Sequence, residues 1–194
     1  MTHRNRQRAP YDTPIDSAIP YPEPPLLGAA FALRPFREDD FDAALELEQD
    51  AAAARWVPAL PAADGAGVVE FYEACRQEGG LLHLVIAERE SDAYLGEAMV
   101  ALGENKVGEV GCCLVPAARG QGIAVEMLRM LTDWAFAVLD LGRVQVFVAP
   151  ENLPALRLAE STGFEREGVL RSYWEIAGER LDVVVLSRLP AGES

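Results

Sequence analysis

Only two histidines, His3 and His83, and three cysteines occur in the 194 residues. No cluster of Cys, His or carboxylate side chains has metal-ligand spacing, so neither a structural nor a catalytic metal is expected. The cysteines are odd in number, with Cys75 in a helical pattern and Cys112 and Cys113 adjacent in an apolar run. That arrangement suits no disulfide framework and points to a reducing compartment. Basic residues are scarce, 17 Lys and Arg against 31 Asp and Glu, for a formal charge of -14. Such a surface repels phosphate backbones and anionic lipid, which argues against nucleic acid and membrane surfaces as partners. No stretch approaches the roughly 20 apolar residues of a membrane span, and the N-terminus lacks the apolar region of a secretory leader; a cytoplasmic location is expected. The acidic surplus suits a cationic substrate, or serves solubility alone.

What the chain does contain is 50% hydrophobic residues, enough for one well-buried domain. Residues 1–28 carry six prolines and no apolar periodicity, the composition of a flexible Pro-rich arm. Residues 29–190 are expected to form a single domain. Alternation over 31–35 predicts β1, and Glu38-Asp39-Asp40 opens a helix, α1, through about residue 50. Apolar positions 68, 69, 71, 72 and 75 recur at helical spacing (α2) until Gly79-Gly80. Runs at 81–88, 94–102 and 107–115 read as an antiparallel meander, β2 to β4. A long apolar stripe from Ile123 forms α3, closed by Gly142. Then come β5 at 144–148, α4 at 152–162 ended by Gly163, and a hairpin of β6 (169–176) and β7 (181–189) around Ala177-Gly178.

The sharpest motif is the run from Val115 to Ala124, where β4 passes through Arg119-Gly120-Gln121-Gly122 directly into α3. Small residues at 120, 122 and 124 let an anion approach the main chain, and the helix-opening N–H groups and dipole point at it. Arg119 adds charge at the rim. By itself the pattern fits equally a helix-opening turn that binds nothing.

Arg119-Gly120-Gln121-Gly122-Ile123-Ala124 after a strand resembles the acyl-coenzyme A pyrophosphate loop of the GNAT acetyltransferases. A second match follows in β5, Asn152, Gly163-Phe164 and Glu167-Gly168-Val169-Leu170-Arg171. Leu33-Arg34-Pro35, Arg55-Trp56 and residues 173–182 are similar to the branch containing the ribosomal-protein N-terminal alanine acetyltransferases. The resemblance covers about residues 31–189. It implies an α/β (α+β) GNAT fold: a central mixed, mostly antiparallel twisted sheet of about seven strands, flanked by four helices and splayed between β4 and β5. It implies acetyl-CoA as donor and an amine as acceptor, either a protein N-terminus or a small-molecule amine. The pantetheine arm would lie in the splay, bonded through the backbones of Cys113 and Val115. Arg119, Gly120, Gln121, Gly122, Ile123 and Ala124 would hold the pyrophosphate, and Ala155 would flank the thiol end. Asn152 takes the place of the family's arm-contacting asparagine, or is an ordinary helix N-cap. A homodimer through the C-terminal hairpin or a sheet edge is also implied.

Acetyl transfer requires a base for the ammonium, donors for the oxyanion and a route for the thiolate to leave. The oxyanion donor implied is a β4 backbone N–H near Cys113 or Leu114. Glu109 on β4 and Glu97 on β3 lie in otherwise apolar strands where desolvation lifts a carboxyl toward neutrality, and Glu175 is a third candidate base. The family's Tyr and Ser proton-donor positions on α4 are Ala159 and Ala155 here, leaving water or Tyr173 as donor. The same departure opens an alternative, a catalytically silent acyl-CoA-binding sensor or scaffold. Cys112 and Cys113 have no base near in sequence and read as packing residues. Trp56, Tyr72 and Trp174 are candidates for the acceptor groove, with core packing as the competing role.

Overall fold

The computed structural model describes residues 17–53, 56, 59–176 and 178–192. The elements are β1 (Phe31–Arg34), α1 (Phe41–Gln49) preceded by a 3-10 turn, α2 (Gly65–Gln77), β2 (Leu81–Glu88), β3 (Tyr94–Leu102), β4 (Val107–Leu114), α3 (Ile123–Leu139), β5 (Arg143–Val148), α4 (Leu153–Ser161), β6 (Glu165–Ile176) and β7 (Glu179–Arg188). They form one seven-stranded sheet in the order β1-β2-β3-β4-β5-β7-β6. Among the described residues β4 and β5 run parallel and the other neighbouring pairs antiparallel.

Helices cover both faces, which is why β2 reads as a nearly continuous apolar run instead of an alternating one. Its Leu82, Leu84 and Ile86 join the larger core with β3, β4, β5, β7, α3 and α4. Its Val85 and Ala87 face a smaller core with Phe36, Ala44 of α1 and Val68 of α2. In α3, Ile123, Met127, Leu128, Leu131, Trp134 and Ala135 are buried at three- and four-residue spacing. Each of the Ile, Met and Leu side chains contributes roughly 1.5–3 kcal/mol by leaving water, so this stripe fixes α3, and the loop before it, against the sheet.

Three expectations shift. Gly142 does not close α3; Asp140 takes the left-handed position at φ 52°. Strand β6 begins at Glu165, four residues before its apolar portion, because its ladder with β7 tolerates the exposed Glu165, Arg166 and Glu167. The arm expected over residues 1–28 lies outside the described residues up to Asp16, but residues 19–28 pack onto the domain instead of hanging loose. Ile19 is 2% exposed, its carbonyl accepts from Arg76 at 2.6 Å, and Leu27 bridges to Ala32. Ala177 of the expected hairpin turn also lies outside the described residues.

Candidate active site

Pairing between β4 and β5 runs only from Val107↔Arg143 to Glu109↔Gln145, although β4 continues to Leu114 and β5 to Val148. Past Glu109 the parallel neighbours part. The register with β3 then decides which main-chain groups face the gap. Val115 N–H donates to Leu95 O at 2.9 Å, and Gly103 N–H to Val107 O at 2.8 Å. The register between these two bonds is unbroken, from Gly96↔Leu114 to Leu102↔Gly108. Hydrogen bonding in an antiparallel ladder alternates, so the odd-numbered residues of β4 turn their N–H and C=O to β3. Val110, Cys112 and Leu114 turn theirs toward the gap. This corrects the expectation for Cys113 and Val115: their backbones serve β3, and Val115 O also accepts from Ala118 N–H at 3.0 Å. Leu114 keeps its place, joined by Cys112 and Val110.

The loop after β4 holds a 3-10 turn at Pro116–Ala118 and then opens. Gly120 and Gly122 have φ of 74° and 81°, and a Cβ added at either meets nothing within 4 Å. Gly122 is the N-cap of α3, with no side chain over the first-turn N–H groups. Open main chain, positive φ at both glycines and a 17-residue helix pointing its N-terminus outward fit a pyrophosphate. Ile123 is 5% exposed and Ala124 is partly buried, so their side chains anchor the helix while their backbones face the loop. Gln121 Nε2 donates to Ala117 O at 2.6 Å and braces the turn. Arg119 is used differently from the expectation of rim charge. Its Nε donates to Leu114 O at 2.9 Å and its terminal nitrogen pairs with Asp50 Oδ1 at 2.5 Å, tying the loop to the end of α1. The hydrogen bond from Arg119 holds Asp50 below the usual carboxylate range.

Side chains of odd-numbered β4 residues face the α1–α2 side. There Glu109, beside Gln145 at the vertex of the gap, has its carboxyl pushed up to about 8 by burial. Glu97, cross-strand partner of Cys113, is in the opposite condition. His83 Nε2 lies 3.0 Å from its Oε2, and Tyr94 O–H donates to its Oε1 at 2.6 Å. Burial alone raises this carboxyl, yet the His83 and Tyr94 partners outweigh it and hold it below the usual range. With both oxygens engaged, Glu97 serves as the centre of a buried polar network, not as an acceptor of protons. Tyr72 belongs to that network: its ring stacks on His83 at 3.7 Å and 3°, and its other ring neighbours are Phe36 and Phe71. It packs against the smaller core and stays partly buried.

Glu175 pairs with Arg180 at 2.9 Å across the hairpin. Tyr173 packs against β5. Its ring lies 5.3 Å from that of Phe147 on β5, and burial, then the charge of Glu109, raise its hydroxyl. Trp174 resumes the ladder opposite Leu181 and is partly buried. Trp56, also partly buried, hangs from the turn after α1 by its N–H to Ala53 O at 2.7 Å; Arg55 lies outside the described residues. Asn152 caps α4, Oδ1 accepting from Ala155 N–H at 3.3 Å. Ala155 and Ala159 pack against the larger core. Burial pushes the Cys112 thiol up to about 12 and the Cys113 thiol to about 11, so neither forms a thiolate near neutrality. Phe147, Gln145 and His83 were not singled out in the sequence. An apolar strand with one His or one Phe carries no mark of its cross-strand partner.

A family model described as an acetyltransferase (GNAT) domain matches residues 31–165. An uncharacterized N-acetyltransferase, p20, of Bacillus licheniformis is 28% identical over 162 residues, covering 81% of this chain and 91% of that protein. Among solved structures, a putative ribosomal-protein-serine acetyltransferase from Vibrio cholerae superposes with a TM-score of 0.76 at 20% identity, covering 88% of this chain and 99% of that one. A spermidine N-acetyltransferase from Vibrio cholerae, in complex with CoA and spermine, gives 0.70 at 22% identity, covering 84% and 96%. At these identities the two structures share the fold.

Proposed function

The chain belongs to the GNAT acetyltransferase family and is an N-acetyltransferase; from that premise we propose that it transfers the acetyl group of acetyl-CoA to a primary amine by direct attack. The acceptor is a protein N-terminus or a small-molecule amine. The observation that carries this reading is the parting of β4 and β5 immediately after Glu109↔Gln145. It opens the sheet between a desolvated carboxyl and an anion-ready helix N-terminus.

Bound acetyl-CoA supplies the acetyl group as a thioester. The residues that fit it are the open main chain of Gly120 and Gly122 with the first turn of α3, at its pyrophosphate, and the backbone of Val110 and Cys112 with the Leu114 N–H, along its arm. Glu109 takes the proton that the ammonium must lose before nitrogen can attack. Burial raises its carboxyl to about 8, which suits it to accept a proton near neutral pH. The N–H groups of Cys112 and Leu114 face the gap and donate to negative charge on a carbonyl oxygen. The loop side chains do no chemistry; they hold the backbone in place.

The test is a pH–rate profile with a competent amine. Activity is expected to climb tenfold per pH unit below about 8 and to level above it. A profile flat from pH 6 to 9 removes Glu109 as the base.

A further inference from the structure

Resting on the acetyl-transfer reading, we propose that Phe147 and Tyr173 form an aromatic wall that selects the acceptor, and that the amine it favours is a monoammonium carrying an apolar or aromatic group, in preference to a polycation.

Strand register sorts the side chains around the gap onto two faces. On β5, Val144, Val146 and Val148 belong to the larger core, so Gln145 and Phe147 turn to the other face. That is the face of Glu109, whose cross-strand partner is Gln145. On β7 the larger core takes Val184 and Leu186, which leaves Val183 and Val185 on the Glu109 side. Val185 is the partner of Phe147, and Val183 that of Leu170 on β6. Phe147, Leu170 and Val185 are partly buried. Among the described residues, the smaller core beneath α1 and α2 draws no member from β5, β6 or β7. The apolar face therefore starts beside Glu109 and continues beyond the core those helices cover.

Alternation alone would aim Tyr173 away from this face, because Trp174 returns to the ladder opposite Leu181 on the Glu109 side. A bulge changes its aim. Between Leu170↔Val183 and Trp174↔Leu181, four steps along β6 match two along β7. Ser172 in this bulge has φ 52°, a left-handed conformation uncommon outside glycine. It is pinned there, with its N–H donating to Asp182 Oδ1 at 2.8 Å and its carbonyl accepting from Arg180 at 3.4 Å. Bulges of this kind re-aim a side chain. Strand β7 separates β6 from β5 in the sheet, yet the Tyr173 ring meets that of Phe147 at 5.3 Å and 35°. The two rings thus form one wall on the face of Glu109.

Distance and charge then describe the acceptor. Phe147 follows Gln145 by two positions, roughly 7 Å along the strand. That is the reach of an N-terminal side chain, or of an arylethyl group, from an amine held at Glu109. Tyr173 remains 37% exposed, so the wall keeps an open edge against which a further ring packs offset or edge-to-face. The carboxylates flanking this face already carry partners. Glu97 is engaged by His83 and Tyr94, Glu175 by Arg180 and Asp182 by the Ser172 N–H. The second ammonium of a polycation would be set on apolar surface and lose its hydration, which is costly. An ammonium with one apolar substituent meets no such penalty, and both a polypeptide N-terminus and a free arylalkylamine present that chemistry.

Thiol release would be followed with acetyl-CoA and two matched pairs of amines: a peptide beginning with phenylalanine against one beginning with glycine, and phenethylamine against ethylamine, with spermidine as the polycation. In one pair the aromatic member is expected to have a kcat/KM about 10-fold or more above its plain counterpart, and above spermidine. The pair that shows the ratio identifies the source as polypeptide or free amine. Phe147→Ala, with acetyl-CoA affinity retained in calorimetry, should bring the ratio to within about twofold. Phe147→Leu keeps an apolar side chain in place and should move the preference from the aromatic amine to an aliphatic one. Tyr173→Phe keeps the ring and should keep the ratio. A wild-type ratio near unity, a preference for spermidine, or a ratio untouched in Phe147→Leu overturns the wall and leaves the acetyl-transfer reading standing. A dimer lost from sedimentation in Phe147→Ala with the ratio unchanged also overturns it, and makes this face an interface between copies. No release by the wild-type protein with any amine overturns both.

Discussion

Replacing Glu109 by glutamine keeps the shape of the side chain and removes its titration, so stability and catalysis should respond in opposite directions. The carboxyl is raised from 4.5 to about 8 in the fold by burial, and each unit is worth 1.36 kcal/mol. A raised acid binds its proton more tightly folded than unfolded. Its stabilising contribution is fully present below about 4.5 and is lost as pH rises toward 8. By pH 7 the wild-type protein has lost on the order of 3 kcal/mol relative to acid, and Glu109→Gln has lost none of it. The stability difference between the two, measured by urea unfolding, should widen from near zero at pH 4.5 to a plateau above about pH 8, in favour of glutamine. In the rate assay the same change should lower kcat by roughly 10² to 10⁴ while leaving acetyl-CoA affinity in place. A stability difference that stays constant across this range would refute the desolvation argument. Widening stability with wild-type kcat would leave Glu109 buried but outside the chemistry.

Gly122→Asp places a carboxylate at the N-terminus of α3, at a φ of 81° where nothing lies within 4 Å of the new Cβ. The fold should survive by circular dichroism while calorimetric affinity for acetyl-CoA falls at least about 100-fold; retained affinity contradicts the loop assignment. His83→Ala leaves the Glu97 carboxylate buried with Tyr94 as its hydrogen-bond partner, which should cost about 2–4 kcal/mol in urea unfolding. Glu97 sits below its usual value, so its contribution is present above that value and lost as pH falls through the folded one. Removing His83 leaves burial to raise the carboxyl, so the variant should lose less stability than the wild type as pH falls through the carboxylate range. Cys113→Ala should keep kcat within about twofold, since a thiol at about 11 is no nucleophile near neutrality; a large loss would reinstate it.

Elements set by hydrophobic period alone were legible in the sequence. Strands β2 and β3 fall at the expected residues, and α3 starts at Ile123 after its glycine loop. What escaped was set by pairing. Cys113 and Val115 were expected to face the gap, and the parity of the β3 ladder gives that face to Val110, Cys112 and Leu114. A one-residue difference in hydrogen-bond phase is invisible in a run such as Val-Gly-Glu-Val-Gly-Cys-Cys-Leu. Arg119 read as a cation for phosphate because its partner, Asp50, is 69 residues away. Glu97 and Glu109 looked equivalent, since each is an acid in an apolar strand. The structure separates them through His83 and Tyr94, which engage one of the two. The bulge that aims Tyr173 follows from the mismatch between β6 and β7, and neither strand shows it separately.

The central claim is that the gap beyond Glu109 holds acetyl-CoA and delivers its acetyl group to an amine. The most direct measurement mixes the purified protein with acetyl-CoA and a panel of peptides, polyamines and aminoglycosides, following free thiol release beside calorimetric binding. The account predicts saturable binding of acetyl-CoA and thiol release that depends on one class of amine. Absence of binding, or binding without release across the panel, would contradict it.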